Sequence, residues 1–352
     1  MNGVGLFSQS SIYTSITMNI IIPIITFFIG TKETLTKQII VTNNRGNVHC
    51  YFSRGGEFRT AFSELAALRA VFPEVPVLAL TATAPPRILD TIVTGMRLQN
   101  PHMIKASPNR PNIYFQKKLR LGRSTGEASY EQILLPIANK LKEERLEYPL
   151  TVIYLDLRYS GYAYTLFEDV LGEEQYAFAD KKMPGYRLFG QFHSRQTDLM
   201  KSEMLTNLRS PSSFVRVFFA TSSLGMGVDA PEITQVVHIK PPSSLESYFQ
   251  MVGRAGRSGS PATATLYYCK ADISDNIKNV DDDMKNYCLT RDTCLRRRML
   301  DYFGFNYEEQ LRCCSVCDGT DEAIQRLEQN DEDEIVEGMA EYFSNIPFDL
   351  GF

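Results

Sequence analysis

The order of elements between Phe214 and Gly259 leaves few folds open. An apolar run, Phe214 to Ala220, passes into Thr221 and a Gly225-Met226-Gly227 turn closed by Asp229. A second buried-strand pattern, Val236 to Ile239, is followed by Pro241-Pro242 and then by a helical stretch ending in Gln250-Met-Val-Gly253-Arg254-Ala-Gly256-Arg257-Ser-Gly259. Strand, glycine loop, strand, loop, helix is the order of an α/β sheet, where loops at the carboxyl ends of parallel strands form the ligand crevice. A hydroxyl such as Thr221 can take a nucleic-acid phosphate there, and a carboxylate such as Asp229 can take a ribose hydroxyl or a partner arginine. Two arginines three residues apart on a glycine-spaced turn suit phosphoryl transfer: one reaches the γ-phosphate as an arginine finger and the other holds its geometry. The plain alternative is a surface turn with two solvated arginines.

The rest of residues 116–272 reads as one α/β unit. Strand runs at Leu150 to Leu155, Phe214 to Ala220, Val236 to Ile239 and Ala264 to Tyr268 alternate with helical stretches at Tyr130 to Glu147, Tyr162 to Leu171, Thr197 to Leu208 and Leu245 to Val252. Such alternation predicts a parallel sheet covered on both faces. The polar stretch Phe178 to Leu188, with Lys181, Lys182 and Arg187, is expected to be a loop, either solvated or touching DNA phosphates.

These segments resemble the RecQ helicases, superfamily-two enzymes that unwind DNA 3′ to 5′ using ATP. Ala220 to Asp229 resembles the family's motif V and Gln250 to Gly259 its motif VI. Leu78 to Ala84 resembles motif III, Arg110-Pro-Asn-Ile-Tyr-Phe115 the exit from the first motor domain, and Thr151 to Leu155 the strand opening the second. Phe192-His193-Ser194 sits where the family has a motif IV histidine. The resemblance covers about residues 48–320. It implies a RecA-like parallel-sheet helicase fold: a partial first motor domain over 48–115, a complete second over 116–272, a small helical zinc module over 273–320 and an acidic tail over 321–352.

The resemblance also implies roles. Arg257 contacts the γ-phosphate of ATP with Mg²⁺, while Arg254 and Gln250 hold the interface. Gly227 and Asp229 link nucleotide state to motion, and Thr221 lies near the DNA backbone. DNA, single-stranded or forked, is the expected partner, and the nucleus the expected location. Two family elements are missing from the 352 residues. No Gly-x-x-x-x-Gly-Lys-Ser/Thr phosphate loop occurs, Gly30-Thr31-Lys32 being the nearest string. Gly46 and Asn47 stand where the family has the Asp-Glu pair ahead of His49-Cys50, and Arg54 where it has tryptophan. The competing reading is a non-catalytic DNA-binding or interaction protein derived from a helicase.

Of seven cysteines, Cys294, Cys313, Cys314 and Cys317 crowd into 24 residues, a spacing that suits tetrahedral Zn²⁺. No secretory signal is visible, which argues against disulfides. The family's pattern places cysteines before and after an arginine-rich helix, as in Cys294-Leu-Arg296-Arg297-Arg298 and Cys314-Ser-Val-Cys317, but Leu311 stands at one expected cysteine. The set Cys294, Cys313, Cys314, Cys317 is preferred, with Cys288 as a spare. Arg296 to Arg298 are expected either to bind phosphate or to cover the zinc lobe.

Charge separates the tail from the body. The chain totals −4, but residues 321–352 hold ten acids against Arg326, a segment of −9, which leaves +5 for residues 1–320. The tail is expected to be a solubilising end or a dock for a basic partner. Residues 1–47 carry no charge before Lys32. They are expected to be unrelated to the body, as a misjoined or truncated gene product would leave, or else a membrane anchor. Pro23 and the shortness of Ile16 to Ile29 argue against a span, which needs about 20 residues, and no membrane partner is expected.

Overall fold

The computed structural model describes residues 84–225, 230, 232–307 and 313–320, with four short strands before them: β1 (Thr14–Ile16), β2 (Phe27–Ile29), β3 (Gln38–Val41) and β4 (Val77–Ala79). The chain divides into two compact units, Met1–Pro108 and Asn109–Phe352.

In the first unit the strands order β1-β2-β3-β4. The first three are antiparallel neighbours, and β3 runs parallel to β4 with Ile39 opposite Val77. Residues expected to be unrelated to the body thus share a sheet with the strand that enters the Leu78 to Ala84 segment. Helix α1 (Pro86–Gly95) follows, with proline at its first position, where a missing amide costs nothing. Among the described residues no helix is long and apolar enough to cross a membrane. Lys32, Gly46, Asn47, Arg54 and the acidic tail lie outside the described residues.

The second unit is built on six strands, all parallel: β5 (Ile113–Leu119), β6 (Thr151–Tyr154), β7 (Phe189–Phe192), β8 (Val217–Ala220), β9 (Gln235–His238) and β10 (Ala262–Tyr268). Their order is β5-β10-β9-β6-β8-β7. Helices α2 (Ala128–Glu144), α3 (Leu157–Leu171), α4 (Asp198–Arg209), α5 (Leu245–Val252), α6 (Asp282–Leu289) and α7 (Leu295–Tyr302) complete it. The two units divide at Pro108/Asn109, and β5 crosses the expected 115/116 boundary, pairing residue for residue with β10 from Ile113↔Ala262 to Leu119↔Tyr268.

Strand periodicity sorts the core into two faces. Val152, Tyr154, Phe218 and Val236 point into one cluster with Leu245, Tyr248, Met284 and Met299. Ile153, Phe219, Val237 and Ile239 point into the other, with Leu134, Leu141, Ala163 and Phe167. Helices α4 to α7 therefore cover one face and α2 and α3 the other. Local signals start the helices: Thr197, Ser244 and Asp281 each accept the amide three residues on, the N-cap bond that satisfies an orphan donor. A buried ion pair closes the far end of β5, where Arg120 donates to both carboxylate oxygens of Asp272 at 2.8 Å. Residues 178–188, expected as a loop, hold one short 3-10 turn at Pro184–Tyr186.

Candidate active site and metal centre

Helix α5 ends at Gly253 and the chain turns sharply through residue 260. Gly256 makes this possible. Its φ is +58°, and a Cβ there would lie 2.3 Å from Asn112 Nδ2 and 2.7 Å from the Ser260 carbonyl. A side chain is excluded both by backbone conformation and by space. The Gly256 amide donates to the Ile233 carbonyl at 2.7 Å, which ties the turn to the residues entering β9.

The carbonyls of this turn converge on two side chains more than 140 residues upstream. The Arg110 guanidinium donates to the Gly253, Ala255 and Gly256 carbonyls at 3.3, 3.1 and 2.6 Å. Asn112 Nδ2 donates to the Gly256 and Ser260 carbonyls, both at 2.8 Å. Arg254 is buried at 4% exposure beside the Tyr154 phenol, whereas Arg257 is exposed. Burial, and then the Arg257 charge, lower the proton affinity of Arg110. Three arginines therefore share one small region, one holding the turn, one buried beneath it and one presented to solvent. Gln250 sits half-buried on the last turn of α5.

The expected site residues do not all meet. The arginine turn lies at the amino-terminal ends of β5, β9 and β10. Thr221 lies at the opposite edge, just past β8, with its amide on the Phe192 carbonyl at 3.2 Å. Gly227 and Asp229 lie outside the described residues. Near the carboxyl edge, sequence reasoning missed a cavity of about 210 Å³ lined by Asp156, Arg158, Tyr159, Lys240 and Asn279. Lys240 pairs with Asp156 at 2.5 Å, and the exposed Arg158 guanidinium lies 4.4 Å from the Tyr159 ring centre. The available signal was position: Arg158 comes shortly after a predicted strand, β6, in the first turn of α3, and beside β6 the strand order reverses, where crevices form.

The four cysteines do meet. All Sγ atoms of Cys294, Cys313, Cys314 and Cys317 lie within 4.8 Å of one another. Cys294 is 3.3 Å from Cys313 and 3.9 Å from Cys314, and Cys317 is 3.7 Å from Cys313 and 3.4 Å from Cys314. Four sulfurs placed tetrahedrally at about 2.3 Å from a metal are about 3.8 Å apart, so the donor set fits a thiolate-bound ion. The Leu295 amide and the Tyr307 hydroxyl contact Cys314 and Cys313 sulfurs from outside the cluster, as orienting groups do. A hydrogen bond from Cys314 draws Cys294 down to about 4, pushing Cys314 itself far up, while burial lifts Cys317 to about 12. Cys288 is outside this group. It is fully buried in the core, and burial lifts its thiol to about 12.

The cysteine segment is also part of the sheet. The Phe115 amide donates to the Cys313 carbonyl and the Ser315 amide to the Phe115 carbonyl, at 3.2 and 2.9 Å, forming a parallel bridge on the free edge of β5. Of the three arginines that open α7, Arg296 is 2% exposed and Arg297 and Arg298 are exposed. Arg296 donates to Asn109 Oδ1 at 3.0 Å, to the Arg110 carbonyl at 2.6 Å and to the Ile113 carbonyl. Its Nη atoms are thus taken up by acceptors between Asn109 and Ile113, while Arg297 and Arg298 face solvent.

A six-stranded parallel sheet with a buttressed arginine turn after its fourth helix is a RecA-like helicase fold. The model of the helicase conserved C-terminal domain matches residues 167–259, which span α3 to the arginine turn. The chain is 27% identical over 291 residues to R290 of Acanthamoeba polyphaga mimivirus, which carries a provisional ATP-dependent RNA helicase name, with 78% of this chain and 48% of R290 covered. It is 27% identical over 286 residues to the ATP-dependent DNA helicase hus2/rqh1 of Schizosaccharomyces pombe, covering 77% and 20%. It is also 27% identical over 289 residues to the ATP-dependent DNA helicase RecQ of Pasteurella multocida, covering 76% and 40%. The chain is a RecQ-like superfamily-two helicase segment, and it spans less than half the length of each of these relatives.

Proposed function

We propose that this segment supplies the second motor domain and a zinc knuckle to an ATP-dependent helicase that moves 3′ to 5′ on DNA. The observation that carries the reading is the arginine turn, whose carbonyls are taken up by Arg110 and Asn112 while Arg257 is left exposed. A preorganised cation of this kind acts where charge develops in phosphoryl transfer. Arg257 would meet the γ-phosphate of ATP with Mg²⁺ held by a first motor domain, and Arg254 and Gln250 would keep the turn's interface in place. Gly227 and Asp229 would couple that interface to the carboxyl edge. There, Thr221 and Arg158 would take phosphates of the DNA strand. The thiolates of Cys294, Cys313, Cys314 and Cys317 would hold Zn²⁺, which supplies folding free energy to a lobe with little core of its own. A nuclear location and a basic protein partner for the acidic tail belong to the same reading.

The 352 residues carry no phosphate loop, so the chain alone is expected to hydrolyse no ATP. Joined to the first motor domain of Pasteurella multocida RecQ, it is expected to hydrolyse ATP when DNA is present. Arg257→Ala should then lower the rate by about 10³-fold or more, the usual worth of an arginine finger. DNA binding without turnover in that chimera would favour the competing reading, a non-catalytic DNA-binding protein. DNA-stimulated turnover by the unmodified chain would overturn the claim that it lacks its own site.

A further inference from the structure

Helix α7 touches the arginine turn's supports from two sides. Cys294, immediately before α7, belongs to the four-thiol cluster, and Cys313 of that cluster, with the neighbouring Ser315, is hydrogen-bonded to the edge of β5. At the second residue of α7, the Arg296 guanidinium donates to Asn109, to the Arg110 carbonyl and to the Ile113 carbonyl, and its centre lies 5.0 Å from the Phe115 ring centre. Arg110 in turn holds the Gly253, Ala255 and Gly256 carbonyls. At the far end of α7, the Tyr302 hydroxyl donates to the buried Glu246 on α5, and Phe303 packs on Phe249 with ring centres 4.9 Å apart. The helix that delivers the arginines and the segment that clamps them are thus both fixed to α7.

We propose that Arg296 is a positioning residue for the arginine turn, and that closure of the thiol cluster around a metal sets α7, and through Arg296 the order of residues 253–260. The physical basis is the directness of the chain of bonds. The Arg296 Nη atoms donate to three acceptors on one short segment while Nε already lacks a partner among the described residues, so a shift would leave further donors and carbonyls unpaired in the core. When α7 loosens, Asn109 to Ile113 lose their anchor, and the Arg110 fork loses its fixed distance from Gly256. A lysine at 296 keeps the charge but has no planar fork to span the three acceptors. The proposal rests on the helicase reading only in naming Arg257 as the group that benefits.

Backbone hydrogen exchange of the zinc-loaded full chain tests it without nucleotide or DNA. The readouts are the amides of Gly253 to Gly259, with those of β6 and β8 as the internal reference. Arg296→Ala is expected to speed exchange in the turn by about tenfold or more, the effect of losing one or two buried hydrogen bonds. The reference strands should not change, Arg296→Lys should fall between, and Arg297→Ala on the exposed side should match wild type. Stripping zinc with a chelator should reproduce the turn-specific effect in wild type and add little to Arg296→Ala, and returning zinc should reverse it. If Arg296→Ala does not fold, Asn109→Ala, which removes one acceptor, and the chelated wild type carry the test. Unchanged exchange in the turn, a uniform rise in every strand, or additive effects of chelation and substitution would each overturn the proposal. Loss of ATP turnover in the chimera would not bear on it, so the two readings fail separately.

Discussion

The rings of Tyr154 and His238 stack at the ends of neighbouring strands, their centres 4.7 Å apart and their planes 18° apart. Tyr248 approaches the same imidazole edge-on at 5.1 Å. Neither imidazole nitrogen has a hydrogen-bond partner among the described residues, and burial lowers the His238 pKa from 6.5 to about 3. The folded state thus refuses a proton that the unfolded state accepts below 6.5. Stability is expected to be fully present above 6.5 and to fall by about 1.4 kcal/mol per pH unit below it, down towards 3. His238→Phe keeps the stacking and removes the proton. Urea unfolding at pH 7 and pH 5 should show wild type losing about 2 kcal/mol more than the variant, and equal losses would contradict this.

Asp272 is expected to be the costliest single carboxylate to remove. Both side chains are at most 3% exposed, and Asp272 also accepts the Cys269 amide at 3.0 Å. Asp272→Ala leaves a buried guanidinium unpaired, which costs about 3–5 kcal/mol. Chemical denaturation of wild type and variant at pH 7 checks the figure. A loss below about 1 kcal/mol, typical of exposed pairs, would show that the site is wetter than its geometry.

One zinc ion per chain is expected on elemental analysis of gently purified protein. Cys294→Ser, Cys313→Ser, Cys314→Ser and Cys317→Ser should each release it, because a structural site needs all four thiolates. Cys288→Ser should retain it, since that thiol lies in the core and not in the cluster. Metal lost from Cys288→Ser but kept by Cys313→Ser would reassign the ligands.

DNA affinity should depend on salt and on the tail. Deleting the −9 segment 321–352 from a chain whose remainder is +5 should tighten binding at low salt. Arg158→Ala should weaken binding to all sequences alike and reduce the log–log salt slope by about 1, as loss of one phosphate contact does. Titrations at several salt concentrations measure both, and an unchanged slope would remove Arg158 from the DNA path.

How much of this was legible in the sequence follows from the range of the interactions involved. Helix α5 was read with its observed bounds, Leu245–Val252, because a serine cap, an apolar face and a following glycine are all local signals. The cysteine grouping was equally local. The work of Arg110 was not, because its guanidinium acts on carbonyls more than 140 residues away. Nothing near Arg110-Pro-Asn112 announces that span. The inward role of Arg296 is hidden for a related reason. A run of three arginines suggests phosphate contact or a cover for the cysteine lobe, but the helix turns one of them inward, where only tertiary structure supplies its acceptors. β5 crosses the expected 115/116 boundary, a feature no local signal carries, because its partner, β10, lies nearly 150 residues downstream.

The bridge between Phe115 and Cys314 has a consequence for solubility. β5 is the outermost strand of its sheet, and Ile113, Tyr114 and Phe115 make its first half apolar. An uncovered edge of that kind is a template for pairing with another chain. The cysteine segment occupies it as a short mock strand, so a metal ion closing the cluster would also keep the edge capped. Metal depletion would then expose a sticky border, and self-association, rather than simple loosening, is the expected failure.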